Sequence, residues 1–177
     1  DAGSVLRQHT DTQLYYRTDH HWTTEAAFYV YQNWADAQKL PVRDADHYEI
    51  RTVTDAFEGT IQSKLGIHTV TDSIDLYLAE GDPFYTVQKN GSEEVDYSIY
   101  DYSALDTKDK YAVFFGGNQA LVKISTRAKT DRRFLVIQDS YAHCFLPFLF
   151  EDASEIDVVD LRYYNQKLSD LIAEGNY

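Results

Sequence analysis

The sequence predicts an α/β fold, and three observations carry that reading. One amphipathic helix pattern follows the stretch TDHHW near the N-terminus. Short, wholly apolar runs collect in the C-terminal half. Two of those runs flank a segment long enough to cross from one strand to the next.

Residues 1–17 are mostly polar, and LYYR (14–17) reads as a strand end. Over 24–39, Ala27, Phe28, Tyr31, Trp34 and Ala35 fall on one helical face. Thr23 or Thr24 can cap that helix, Glu25 suits its positive end, and Pro41 closes it. Residues 43–60 are mixed and end in FEGT, with a glycine at a turn. SIDLYLA (73–79) alternates as a half-buried strand does. In FYTVQKNGSEEVDYSIYD (84–101), Asn90-Gly91 divides two strand-like runs, because both residues tolerate positive φ. This predicts a β-hairpin inserted into the α/β core. YAVFF (111–115), FLVIQ (134–138) and IDVVD (156–160) read as strands buried on both faces. SYAHCFLPFLFED (140–152) reads as a helix kinked or stopped at Pro147, which completes a βαβ unit. No repeat or low-complexity linker divides the chain, so residues 1–177 are expected to form one domain.

Composition excludes several functions. With 177 residues, 44% of them hydrophobic, the chain can bury a sizeable core. A net charge of −13 without Lys/Arg clusters argues against nucleic acid and anionic membrane as partners. The single cysteine, Cys144, excludes an internal disulfide. No apolar run reaches the roughly 18 residues of a membrane span, and no signal peptide is present. There is no methionine, even at position 1, so the expected state is a trimmed chain, a fragment of a longer protein. Fifteen tyrosines, nine phenylalanines and two tryptophans build the core, and some of them suit sugar-binding surfaces.

Two stretches carry chemistry. In FLVIQDSYAHCF (134–145) a strand ends at Gln138, and Asp139-Ser140 follow where a helix begins. α/β folds place ligands there, and amides at a helix start can stabilise an oxyanion. Ser140 is then a nucleophile or a plain N-cap. In TDHHW, Asp19 and His21 supply the carboxylate and base that a serine nucleophile needs, with His20 as the spacer. The same Asp-His-His triplet also suits metal binding, but no further aspartate cluster lies near it. His143, one helical turn past Ser140, reads as a partly buried helix histidine.

The pairing of YYRTDHHWTTEAAFYVYQNW with LVIQDSYAHCFLPFLFEDASEIDVVDLRYYN resembles the bacterial DHHW protein family. That family is similar to the SGNH-hydrolase-like alginate and exopolysaccharide O-acetyltransferases. The resemblance spans roughly residues 14–34 and 111–165, with a weaker match at FEGTIQSKLG (57–66). It implies a three-layer, flavodoxin-like SGNH arrangement in permuted or incomplete form. It also implies a triad in which Asp19 orients the imidazole, His21 is the general base and Ser140 the nucleophile. Gln138 departs from the pattern, which has glycine there. The chemistry implied is acyl transfer, commonly of acetyl, to a sugar hydroxyl or to water. Ser140 N–H and Asn118 would face the oxyanion. Tyr141 and Arg162 would meet substrate, although Asn118 also fits a tight turn and Arg162 a plain ion pair. Such a triad needs no metal and no cofactor. The partners implied are a polysaccharide or acetylated glycan and a membrane-bound acetyl donor. The place implied is outside the cell or in its envelope. Two other classes remain open: a non-catalytic glycan-binding or assembly module of the same fold, and a metal-dependent phosphoesterase built on Asp19, His20 and His21.

Overall fold

The computed structural model describes residues 1–66, 68–79 and 84–177. It is a mixed α/β protein with two small sheets among the described residues, one of two strands and one of four. The chain divides into two compact units, Asp1–Gly81 with Tyr102–Val113, and Asp82–Asp101 with Phe114–Tyr177.

The first unit holds helices α1 (Ala2–Leu6), α2 (Thr24–Ala37) and α3 (Thr60–Leu65), and strands β1 (Tyr48–Phe57) and β2 (Asp72–Ala79). The expected helix forms for the expected reason. Thr23 caps α2 by accepting from the Ala26 amide at 3.2 Å, and Ala27, Phe28, Tyr31 and Ala35 are buried. The helix stops at Ala37, short of Pro41, where Lys39 turns to φ +58°. β2 lies where SIDLYLA placed it and buries Ile74 and Leu76. β1 arises from the mixed segment 43–60. It pairs antiparallel with β2 through two irregularities, and most of its residues stay out of the core. The segment 102–113 returns to this unit as two 3-10 turns, Tyr102–Asp106 and Lys110–Val113. It brings the buried Tyr111 ring against Tyr16 and Phe57.

The second unit holds the four-stranded sheet, with strands β3 (Tyr85–Lys89), β4 (Leu121–Thr126), β5 (Arg133–Ile137) and β6 (Glu155–Val159) in the order β3-β4-β6-β5. Only β5 and β6 are parallel; β4 runs antiparallel to both β3 and β6. Val87, Val122, Ile124, Ile156 and Val158 are fully shielded from solvent. The last helix, α4 (Leu168–Gly175), packs against β5.

Three expectations need correction here. YAVFF is buried at Tyr111 and at Val113–Phe115, but it is no strand. Its first part is the 3-10 turn, and Phe114 makes a single bridge to Tyr100 before the Gly116-Gly117 bend. The crossover at 140–152 is not an α-helix but two 3-10 turns, Ser140–Ala142 and Leu146–Glu151. Pro147 at the start of the second turn removes an amide donor. β5 is an edge strand and only half-buried, rather than covered on both faces. Of the expected hairpin at 84–101, the turn is there, with Asn90 at φ +54° and Gly91 at +73°. Among the described residues, however, the second run meets the first only at the bridge Val87–Asp96. β3 pairs instead along its length with β4, as the edge of the sheet.

Candidate active site

The loop TDHHW is pinned from three directions within the first unit. Its ends are closed by a bridge between Tyr15 and Trp22, with the Tyr16 amide donating to His21 O at 3.2 Å. Thr18 is held by Asp72 at the start of β2, which accepts from the Thr18 amide (2.8 Å) and hydroxyl (2.7 Å). The other Asp72 oxygen accepts from Gln13 (2.9 Å) and from Arg17 Nε (3.1 Å). The third anchor is α3. A helix leaves its first amides without intrahelical partners, and here Ile61 and Gln62 donate theirs to Thr18 O, at 3.1 and 3.2 Å. Thr60 donates to Asp19 Oδ2 at 2.6 Å. The carboxylate thereby caps α3, where the helix dipole favours negative charge.

The other oxygen of Asp19 faces His21. Oδ1 accepts from the His21 amide at 3.0 Å and lies 2.5 Å from the ring nitrogen Nδ1. Both side chains are buried, at 2% and 7% exposure. The network assigns the Nδ1 proton to this bond, which leaves the lone pair on Nε2. The His21 ring also stacks flat on Tyr111, 3.9 Å between centroids and 8° from parallel. Burial alone would raise the Asp19 carboxyl, but the bonds from His21 and the Thr60 and His21 amides outweigh it and hold it well below the usual range. Asp19 is therefore a fixed anion beside a correctly oriented imidazole. His20 is partly exposed, with its ring 4.0 Å from that of His21 and its Nδ1 3.6 Å from Asp19 Oδ1.

Gly59 makes this approach possible. A Cβ there would sit 2.2 Å from Asp19 Cβ and 2.8 Å from its Cα. A cleft of about 320 Å³ opens beside the same residues, lined by Asp19, Phe57, Gly59, Thr60, Lys64 and Lys108. Asp19, His20 and His21 bring three ligand atoms within 4.8 Å of one another, the set on which the metal alternative rests. In this structure Nδ1 of His21 and Oδ1 of Asp19 are hydrogen-bonded to each other.

In the second unit, β5 and β6 end and β4 begins at one edge of the sheet. The Gln138 amide donates to Val159 O, and the Asp160 amide to Ala120 O. That edge carries Ser140, Tyr141, Asn118 and Arg162, all four of the sequence-derived candidates of this unit. Asp139 caps the turn, accepting from the Tyr141 amide at 2.9 Å, so Ser140 is the first turn residue rather than the cap. The turn is only three residues long. It supplies individual amides, not the dipole of a full helix.

Arg162 forms the ion pair that the sequence allowed, with a fully buried partner. Asp160 accepts from Nε at 2.9 Å and Nη2 at 2.5 Å. The guanidinium holds the Asp160 carboxyl below its usual range despite burial. Asn118 reaches Tyr163 Oη at 3.4 Å and Arg162 at 3.5 Å. The loop presenting it is strained. Phe115, buried and stacked on His143, takes φ +71°, ahead of Gly116 at +68° and Gly117 at +85°. Positive φ at a bulky residue costs about 1–3 kcal/mol and clusters at functional sites.

The fold is a mixed α/β one that carries a buried, hydrogen-bonded Asp–His pair on a pinned loop. Residues 3–159 match the family model described as DHHW protein, and the chain belongs to that family. No curated protein matches it. Among solved structures it is similar to a DHHW family protein from Eubacterium siraeum, at 28% identity and a TM-score of 0.85, covering 99% of this chain and 60% of that one. It is also similar in fold to Bacillus cereus PatB1. The PatB1 structure with a sulfonyl adduct gives 23% identity and a TM-score of 0.76, covering 93% of this chain and 57% of that one. A second PatB1 structure gives 22% identity and a TM-score of 0.73. The chain thus spans no more than 60% of the length of these proteins.

The sequence missed Thr18, Gly59, Thr60 and Asp72. FEGT carried a signal, because a glycine before a helix start often marks close backbone approach. Asp72 gave none: it lies 54 residues from Thr18 and reads as an ordinary strand-end acid.

Proposed function

We propose that this protein carries out serine-dependent acyl transfer on carbohydrate, as an O-acetyltransferase or O-acetylesterase. Ser140 attacks the acyl carbonyl. His21 Nε2 takes the hydroxyl proton and later returns it to the leaving group, and Asp19 holds the imidazole and balances its charge. The observation that carries this reading is the 2.5 Å contact between Asp19 Oδ1 and His21 Nδ1. It fixes the tautomer a general base needs, and an anion held well below the usual carboxylate range stays charged throughout turnover. Membership of the DHHW family and the fold likeness to PatB1 agree with it. The Ser140 amide is the proposed oxyanion donor and Tyr141 lies beside the acyl group. Asn118 belongs to substrate rather than to the oxyanion, because its carboxamide faces Tyr163 and Arg162. The three-layer SGNH arrangement, a polysaccharide substrate, a membrane-bound acetyl donor and a site of action outside the cell are parts of the same proposal.

The test is direct. Phenylmethylsulfonyl fluoride should add one sulfonyl group, located by mass spectrometry on Ser140. Ser140→Ala should lose p-nitrophenyl acetate turnover by about 10³-fold or more while melting like the parent. Unchanged turnover in that variant ends the nucleophile assignment. Glycan binding without turnover in the parent would instead identify a binding module.

A further inference from the structure

The sheet edge that carries Ser140 presents a second set of side chains whose chemistry can be read from its charge. Asp160 fixes the Arg162 guanidinium through Nε and Nη2, while half of the arginine side chain stays exposed. Nη1 makes no hydrogen bond among the described residues. The positive charge is already matched by Asp160. What remains is a rigid donor without net positive charge. Asn118 is exposed, and its contacts of 3.4 and 3.5 Å are at the long limit of hydrogen bonding, so its donors and acceptor are largely unspent. Tyr163 is 52% exposed and carries Arg162 over its ring at 5.4 Å. The loop before Asn118 leaves room: a Cβ on Gly117 would meet nothing within 4 Å.

We propose that Tyr163, Asn118 and Arg162 form a subsite for a neutral pyranose ring. The tyrosine ring takes the C–H face of the sugar, and the carboxamide and guanidinium take its hydroxyls. A uronate would bring a carboxylate beside Asp160 and meet an arginine already paired with it. The inference rests on the acyl-transfer reading and names its substrate class: neutral glycans rather than acidic ones.

Binding is measured by calorimetry on the protein carrying Ser140→Ala, so the result does not depend on turnover. Cellotetraose and chitotetraose are the neutral probes, and tetragalacturonate is the acidic one. At least one neutral probe should bind, and about tenfold more tightly than tetragalacturonate. Tyr163→Ala should weaken that binding about tenfold and Asn118→Ala about fivefold, while Tyr163→Phe stays within about threefold of the parent. Tetragalacturonate binding as well as the neutral probes would overturn the proposal. So would failure of both neutral probes to bind, or unaltered binding in Tyr163→Ala. Unchanged turnover in Ser140→Ala would end the nucleophile assignment and leave this measurement standing, so the two failures are distinguishable.

Discussion

A missing side chain decides how closely Asp19 approaches the start of α3. With no Cβ on Gly59, Asp19 Cα and Cβ come closer to where one would stand than non-bonded carbons can approach, and these are not atoms that a flexible side chain can swing away. Gly59→Ala must therefore push the Asp19 backbone or the Thr60 amide aside. The expected result is a loss of about 1–3 kcal/mol in stability. Turnover should fall about a hundredfold, because displacing a catalytic group by about an ångström is enough for that. Urea denaturation and acetate release measure the two effects, and an active Gly59→Ala protein would show that Asp19 need not sit where it does. Asp19 and His21 themselves were legible in the sequence, because two residues around a tight turn meet without help from the rest of the chain. Gly59 and Asp72 were not, since nothing periodic links residues 41 and 54 positions apart.

Helix α3, strand β2 and the loop between Tyr15 and Trp22 hold one another through Thr18. Its carbonyl accepts from the first amides of the helix, its amide and hydroxyl donate to Asp72, and its hydroxyl also accepts from the Gly59 amide at 3.0 Å. Asp72 is thus the point where β2 grips the loop. Asp72→Asn puts an NH₂ group where donors already converge, and bonds to a buried charged acceptor contribute about 1.5–3 kcal/mol each. The variant should lose roughly 2–3 kcal/mol in chemical denaturation. Turnover should fall about tenfold as the loop loosens, with the substrate KM little changed. A variant as stable as the parent would mean that the grip lies elsewhere. Of the elements legible in the sequence, α2, β2 and β6 are those whose apolar spacing or runs match their burial, while β5 was found by its apolar run although it is only half-buried. YAVFF misled because burial without alternation does not tell a strand from a 3-10 turn. β4 was overlooked although Val122 and Ile124 are buried while Lys123 and Ser125 point outward, a period-2 signal in plain view. β1 hid because so little of it enters the core.

Across the whole molecule, 29 acidic residues face 16 basic ones. Such an excess makes the compact state repel itself at neutral pH. In acid a particular set of carboxyl groups decides stability. Asp19, Asp72 and Asp160 are all held under the usual carboxylate range, the first two against burial by the bonds they accept and the third by Arg162. In the unfolded chain they titrate near about 3.9. Above that pH both states are ionised and the stabilisation is fully present. As pH falls through it, the unfolded chain takes up protons first, and stability is lost until the folded carboxyls protonate too. The free energy of unfolding should therefore be greatest between about pH 5 and 7 and fall steeply below about pH 4. Urea titrations at a series of pH values measure the slope, and Asp72→Asn should make the acid limb shallower because one proton-linked group is gone. An acid limb equally steep with and without Asp72 would mean that this carboxylate does not help to hold the loop, and the case for Thr18 as the point on which the Asp19–His21 pair is hung would fall with it.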